Sequence, residues 1–208
     1  METKKEYVYN NLNNTGEKGI FKEFEDPIYD FLNELYKSEF LNLEIRIEDA
    51  KRFLSFKESF DALNGLYNSL VDNQKYLNDS LGIDPKLLTY LGAHFYQIFY
   101  EKLKLFFNVF IKTDKMKIGK NPPLGRIIRH LKDTYPQNKF ILELSQQNRN
   151  SIAHYSYYFK GSVICLCDNF LDKDPRCFEY NEFEKELRKL NIILELFIAT
   201  FLDDFLRK

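Results

Sequence analysis

The residues best suited to chemistry stand close together. Arg149, Asn150 and His154 fall within six positions of QQNRNSIAHYSYYF, although the chain has only three histidines. Histidine is the side chain best suited to proton transfer near neutral pH. Arginine offers a fixed cationic fork that matches phosphate oxygens. Together they fit reactions at a phosphate, with an asparagine available to orient either group by hydrogen bonding.

A helix over 139–160 is expected to carry them, with Gly161 as its C-terminal cap. At 100° per residue, Ile141, Leu144, Asn148, Ile152, Tyr155 and Phe159 share one apolar face. Gln147, Asn150, His154 and Tyr158 lie opposite, and Arg149 sits on the flank beside Ala153. Arg149 and His154 are then about 140° apart around the axis. On this geometry His154 faces solvent, a ligand or another chain.

The rest of the chain predicts helices to hold that segment. Asp26-Pro27 reads as a cap followed by a first-turn proline, opening a short helix to about Tyr36. Phe53, Phe56, Phe60, Leu63, Tyr67 and Leu70 recur at spacings of three and four, predicting a longer helix from about Ile47. Asp84-Pro85 repeats the start signal for a helix over 86–111. Its main stripe is Leu87, Leu91, Phe95, Ile98, Leu105 and Val109, widened by Leu88, Phe99, Phe106 and Phe110. His94 within it reads as a core or boundary histidine. A short helix over 124–135 follows Pro122-Pro123. The last, over 181–206, aligns Phe183, Leu187, Leu190, Leu194, Phe197, Phe201 and Phe205 as a bundle-facing stripe. Residues 162–167 suit a short strand or hairpin, and Asp172 to Pro175 a turn. The expected fold is all-α: a bundle of four main helices plus short ones, with one small β-hairpin after the Arg/His helix. Residues 1–20 read as a flexible arm, and 21–208 as a single helical domain.

With 208 residues, 44% of them hydrophobic, the chain is long and apolar enough for a substantial core. The net charge of −1 makes no global case for nucleic acid or membrane. Charge is uneven, however. Between 17 and 49, ten acids against four bases sum to −6; between 112 and 132, seven bases against one acid sum to +6. No apolar run is long enough for a transmembrane helix. The polar start METKKEYVYNN is not a signal sequence. Three cysteines, Cys165, Cys167 and Cys177, fit a reducing cytoplasm and lack zinc-ligand spacing; Cys165 and Cys167 read as part of a buried apolar strand. Neither a phosphate-cradling glycine loop nor a GxSxG motif is present.

The string Arg149-Asn150-Ser151-Ile152-Ala153-His154 resembles the signature of the HEPN superfamily: arginine, commonly a polar residue, then histidine a few positions on. The helical pattern around it is similar to that family's architecture. The resemblance implies a metal-independent endoribonuclease without a cofactor. Its active site would be composite, formed where two copies of the motif meet in a homodimer, with RNA as substrate. His154 would be general acid or base, Arg149 would hold the scissile phosphate, and Asn150 would orient one of them. Lys115, Lys117, Lys120, Arg126 and Arg129 would track the RNA backbone, and Tyr157 or Tyr158 would stack on a base. His130 is a weaker second proton-transfer group. Ser156 stands where some toxin-type members carry tyrosine, which departs from that subgroup. The family's roles in defence and toxin–antitoxin systems imply a regulatory partner such as an antitoxin. Two other readings fit the same residues: a non-catalytic RNA-binding module, and a helical assembly subunit in which Arg149 and His154 stabilise a dimer.

Overall fold

In a computed structural model, the chain is described over residues 2–44, 85–120, 122–144, 157–161, 163–167 and 175–206. Described residues are mostly helical, with a small antiparallel sheet. The elements in order are α1 (Lys4–Asn10), α2 (Thr15–Lys37), α3 (Pro85–Phe110), α4 (Leu124–Thr134), α5 (Lys139–Glu143), β1 (Tyr157–Lys160), β2 (Val163–Leu166), β3 (Arg176–Glu179) and α6 (Tyr180–Thr200). A π-helical turn, Phe201–Leu206, continues α6. The helix expected from about Ile47 lies outside the described residues, as do Asp172 to Asp174 of the expected turn. Where a single domain over 21–208 is expected, the chain falls into two compact units.

The first unit comprises 1–50, 103–144 and 188–208. Its core is aromatic. Phe197 on α6 has ring centroids of Phe106, Phe140 and Phe31 at 4.4, 4.9 and 6.4 Å. Phe201 continues the cluster onto Phe110 at 4.6 Å. The α6 stripe read from the sequence is buried throughout, from Phe183 to Phe205.

Two expectations are corrected in this unit. The first twenty residues form α1 and the start of α2 rather than a loose arm. Thr3 and Glu6 close a capping box on α1. The backbone N–H of Lys5 donates to Asp203 at 2.9 Å, and its ammonium pairs with Asp204 at 2.8 Å. Secondly, Asp26-Pro27 does not start a helix, because Pro27 lies inside α2. Asn14 is the cap instead: its side chain accepts from the N–H of Glu17 at 2.9 Å. The Glu17 carboxylate accepts from the N–H of Asn13 at 2.8 Å and from Arg188 at 3.3 Å. The proline is tolerated within a helix whose Phe21, Phe24, Ile28, Phe31, Leu32 and Leu35 are all buried.

The second unit comprises 51–102 and 145–187. Here α3 supplies Tyr96 and Tyr100, fully buried with hydroxyls 3.4 Å apart. Phe183 stacks on Tyr96 at 6.4 Å and meets Phe178 of β3 at 5.9 Å. Gly92 permits close packing: a Cβ there would lie 2.7 Å from Leu187 Cδ1.

Over the second half of α3, from Ile98 to Phe110, the buried row is the one expected to widen the stripe rather than its main row. Phe99, Leu103, Phe106, Phe107 and Phe110 are buried, whereas Ile98, Leu105 and Val109 are half-buried. The bulkier aromatic rings, not the aliphatic row, face the cores.

The sheet has the order β1-β2-β3. It exceeds the single hairpin expected and takes residues assigned by sequence to the end of a helix. Gly161, expected as a helix cap, has φ +63° between β1 and β2. Phe159 pairs with Ile164, and Ile164 with Phe178. Cys165 is bonded to Cys177, directly opposite on β3. Cys165 and Cys167 are buried on and just after β2, as the strand reading has it, and the bridge adds a pairing that the sequence reading did not contain; Cys167 lies outside it.

Candidate nucleic-acid interface

The basic segment begins where α3 ends and is held to the chain that follows α2. Leu41 and Ile111 form an isolated antiparallel bridge. Around it, the N–H of Asn42 donates to Phe110 O and that of Lys112 to Phe40 O, both at 2.7 Å. Internal turns then fold the segment on itself, with Lys117 N–H to Asp114 O at 3.0 Å and Ile118 N–H to Thr113 O at 3.2 Å. Thr113, Met116 and Ile118 are buried, which leaves Asp114, Lys115, Lys117 and Lys120 outward. Lys117 has φ +60°, in the left-handed region that a side chain rarely adopts. The anchored turns on both sides hold it there.

Next, α4 buries Leu124, Ile127, Ile128 and Leu131. The amphipathic period puts Arg126 and Arg129 on the opposite, exposed face, three residues apart. His130 is half-buried beside them. Lys132 differs from these cations. Its ammonium donates to Leu142 O at 3.3 Å, and burial pushes its pKa down against the opposing pull of Glu143. Lys115 approaches Glu39 at 3.6 Å, with both side chains largely in solvent. Among the described residues, Lys117, Lys120, Arg126 and Arg129 have no ion-pair partner.

The structure therefore places all five sequence-predicted backbone-tracking cations in the first unit, exposed, on one anchored loop and the helix after it. Such cations offer charge to successive phosphates and carry no base-reading geometry.

The other sequence-predicted residues stand elsewhere. Tyr157 is half-buried on β1, its ring 6.0 Å from that of Phe159 on the same sheet face. Tyr158 projects to the other face and is 47% exposed, so it is the tyrosine available for stacking. Arg149, Asn150 and His154 lie outside the described residues. Their expected helix over 139–160 starts at Lys139 as read and is corrected beyond Glu143. Only α5 is helical at its start, Leu144 is extended at φ −68°, ψ 104°, and 157–160 is a strand. Phe159 therefore cannot belong to one helical stripe with Ile141. The missed signal is the run Tyr-Tyr-Phe before Gly161-Ser162, which suits a strand entering a tight hairpin.

Among the described residues, no three His, Cys, Asp or Glu side chains converge as a metal would require. No helix among them is long and apolar enough to cross a membrane. No family model, curated protein or solved structure matches the chain.

Proposed function

We propose that the chain is a metal-independent endoribonuclease of the HEPN type, acting on single-stranded RNA as a homodimer. The observation that carries the reading is the Arg149-Asn150-Ser151-Ile152-Ala153-His154 string in a mostly helical chain. The exposed cations from Lys115 to Arg129 support it, because they suit a polyanionic strand.

RNA carries its own nucleophile. His154 takes the proton of a 2′-hydroxyl or supplies one to the leaving 5′-oxygen. The 2′-oxygen attacks phosphorus and the P–O5′ bond breaks, leaving a 2′,3′-cyclic phosphate and a 5′-hydroxyl. Arg149 stabilises the charge that develops on the phosphorane, and Asn150 orients the histidine or the phosphate. One arginine and one histidine form half of an acid–base set. A two-fold interface repeats the same patch and supplies the second half. An activity of this kind fits defence or toxin-type RNA degradation, held in check by an antitoxin or another regulatory partner.

The test is to offer the purified chain labelled single-stranded RNA with EDTA present. Products should carry 2′,3′-cyclic phosphate ends, and His154→Ala and Arg149→Ala should each abolish cleavage without changing fold or oligomeric state. An inert wild type, or a His154→Ala variant that cuts normally, refutes catalysis. Salt-sensitive binding without cleavage would instead make the chain an RNA-binding module. A His154→Ala variant that alters only dimer stability would make it an assembly subunit.

A further inference from the structure

Strand register sorts the sheet into two faces. Tyr158, Cys165 and Cys177 form one row on one face, with Lys160, Val163 and Glu179 as the next row. Tyr158, Lys160, Cys177 and Glu179 are exposed, so this is the solvent side. Within it the two bridged sulfurs differ. Cys165 lies on the central strand and is 2% exposed, whereas Cys177 lies on the edge strand and is exposed. A nucleophile arriving from solvent therefore reaches Cys177 and not Cys165.

We infer that Cys177 is a thiol-exchange site for low-molecular-weight thiols such as glutathione, and that the Cys165–Cys177 bridge is a reversible clasp on the edge strand. A thiolate attacks Cys177 Sγ and forms a mixed disulfide there. The Cys165–Cys177 bond breaks, and its electron pair leaves on Cys165 Sγ, which takes up a proton. A second thiolate then attacks the small-molecule sulfur of the mixed disulfide and frees Cys177 as a thiol. Two small thiols are oxidised to one disulfide while the bridge is reduced by two electrons. Glutathione disulfide drives the reverse. Exposed bridges are the exchange-prone ones.

The clasp has something to hold. β3 is four residues long and, among the described residues, pairs on one side only. Short edge pairing of this kind is weak in water. β3 also leads directly into α6, where the N–H of Glu179 donates to Glu182 at 3.1 Å. Opening the bridge removes the covalent tie between β3 and β2, while the contact of Phe178 with Phe183 stays. The inference is independent of the proposed RNA activity, which is not among its readouts.

The experiment uses the full chain in native buffer with excess glutathione, quenched and alkylated before peptide mass analysis. The expected result is one glutathionyl adduct on Cys177 with the alkyl group on Cys165. Hydrogen exchange at the amides of Arg176 and Phe178, the residues of β3 at hydrogen-bonded positions opposite β2, should lose protection on reduction and regain it with glutathione disulfide. Cys177→Ser should show the unprotected pattern without reductant; if that variant does not fold, wild-type protein reduced by a phosphine gives the same comparison. Three results overturn the inference: a bridge that exchanges only after urea unfolding, an adduct on Cys165, or β3 protection equal in both states.

Discussion

Neutralising the outward cations gives a sharp prediction. Lys117, Lys120, Arg126 and Arg129 are exposed and have no ion-pair partner among the described residues. Each can therefore displace one counterion from a bound strand. For a single strand, log K falls with log salt at about −0.7 per neutralised phosphate, so four contacts contribute a slope of about −2.8. Between 50 and 200 mM salt that corresponds to roughly a fifty-fold loss of affinity. The variant K117Q/K120Q/R126Q/R129Q should lower the magnitude of the slope by about 2.8, whereas Lys132→Gln should change it little, because that ammonium is engaged with Leu142 O. Fluorescence anisotropy with a labelled 2′-deoxy oligonucleotide measures binding alone, since that strand lacks the nucleophile. A wild-type slope shallower than about −1, or a quadruple variant within about 0.7 of wild type, would show that these side chains do not meet the strand.

Other tests concern the scaffold. Phe197→Ala should cost about 3–5 kcal/mol in urea unfolding, and Phe197→Leu about 1–2, because leucine keeps most of the volume but loses the ring contacts. Equal costs for the two would refute a role for ring packing. Gly92→Val should destabilise by about 1–3 kcal/mol through overpacking against Leu187 and Phe183. Shortening the obstructing side chain, Leu187→Val, should relieve the clash, so that Gly92→Ala there approaches the gain of up to about 1 kcal/mol that alanine's helix preference over glycine allows; equal effects of Gly92→Ala in both backgrounds would rule out the clash. The backbone N–H and hydroxyl of Thr3 hold the Glu6 carboxyl below its usual range. A depressed carboxyl contributes stability that is present above its unfolded value and lost as pH falls through its folded one. The α1 amides should therefore exchange faster as pH falls through and below the ordinary carboxylate range, and Thr3→Ala should shift the onset upward; exchange independent of pH after correction for its intrinsic rate would refute the cap.

The long helices were legible because each repeats its signal many times. The last stripe recurs over seven positions from Phe183 to Phe205, and all seven are buried. The helix signalled by Asp84-Pro85 is present over its described residues, Pro85 to Phe110. Shorter signals competed less well. Asn14 followed three residues later by Glu17 is a readable helix start, yet Asp26-Pro27 looks stronger locally, and only packing reveals that Pro27 is internal. Four-residue strands show too few alternations to outweigh an apparent helical stripe, so Tyr157 to Lys160 reads as helix. On α3 the sequence supplies two adjacent apolar rows, and ring packing selects the aromatic one. The positive segment was visible as a charge sum; which cations face outward depends on turns that bury Met116 and Ile118. The cysteine pairing needed register, since spacing alone does not set Cys165 opposite Cys177.

The two units interleave along the chain, with consequences for synthesis. The first draws on residues 1–50, 103–144 and 188–208, and both α3 and α6 change unit partway along their length. Its aromatic cluster needs Phe31, Phe106, Phe140 and Phe197 at once. On the ribosome the early helices must wait, apolar faces uncovered, until α6 has emerged. Closure across such separations is slow for entropic reasons. A stalled or truncated translation product would therefore expose Phe24, Phe31 and Phe106 to chaperones, and neither unit can be cut out as one continuous piece of chain.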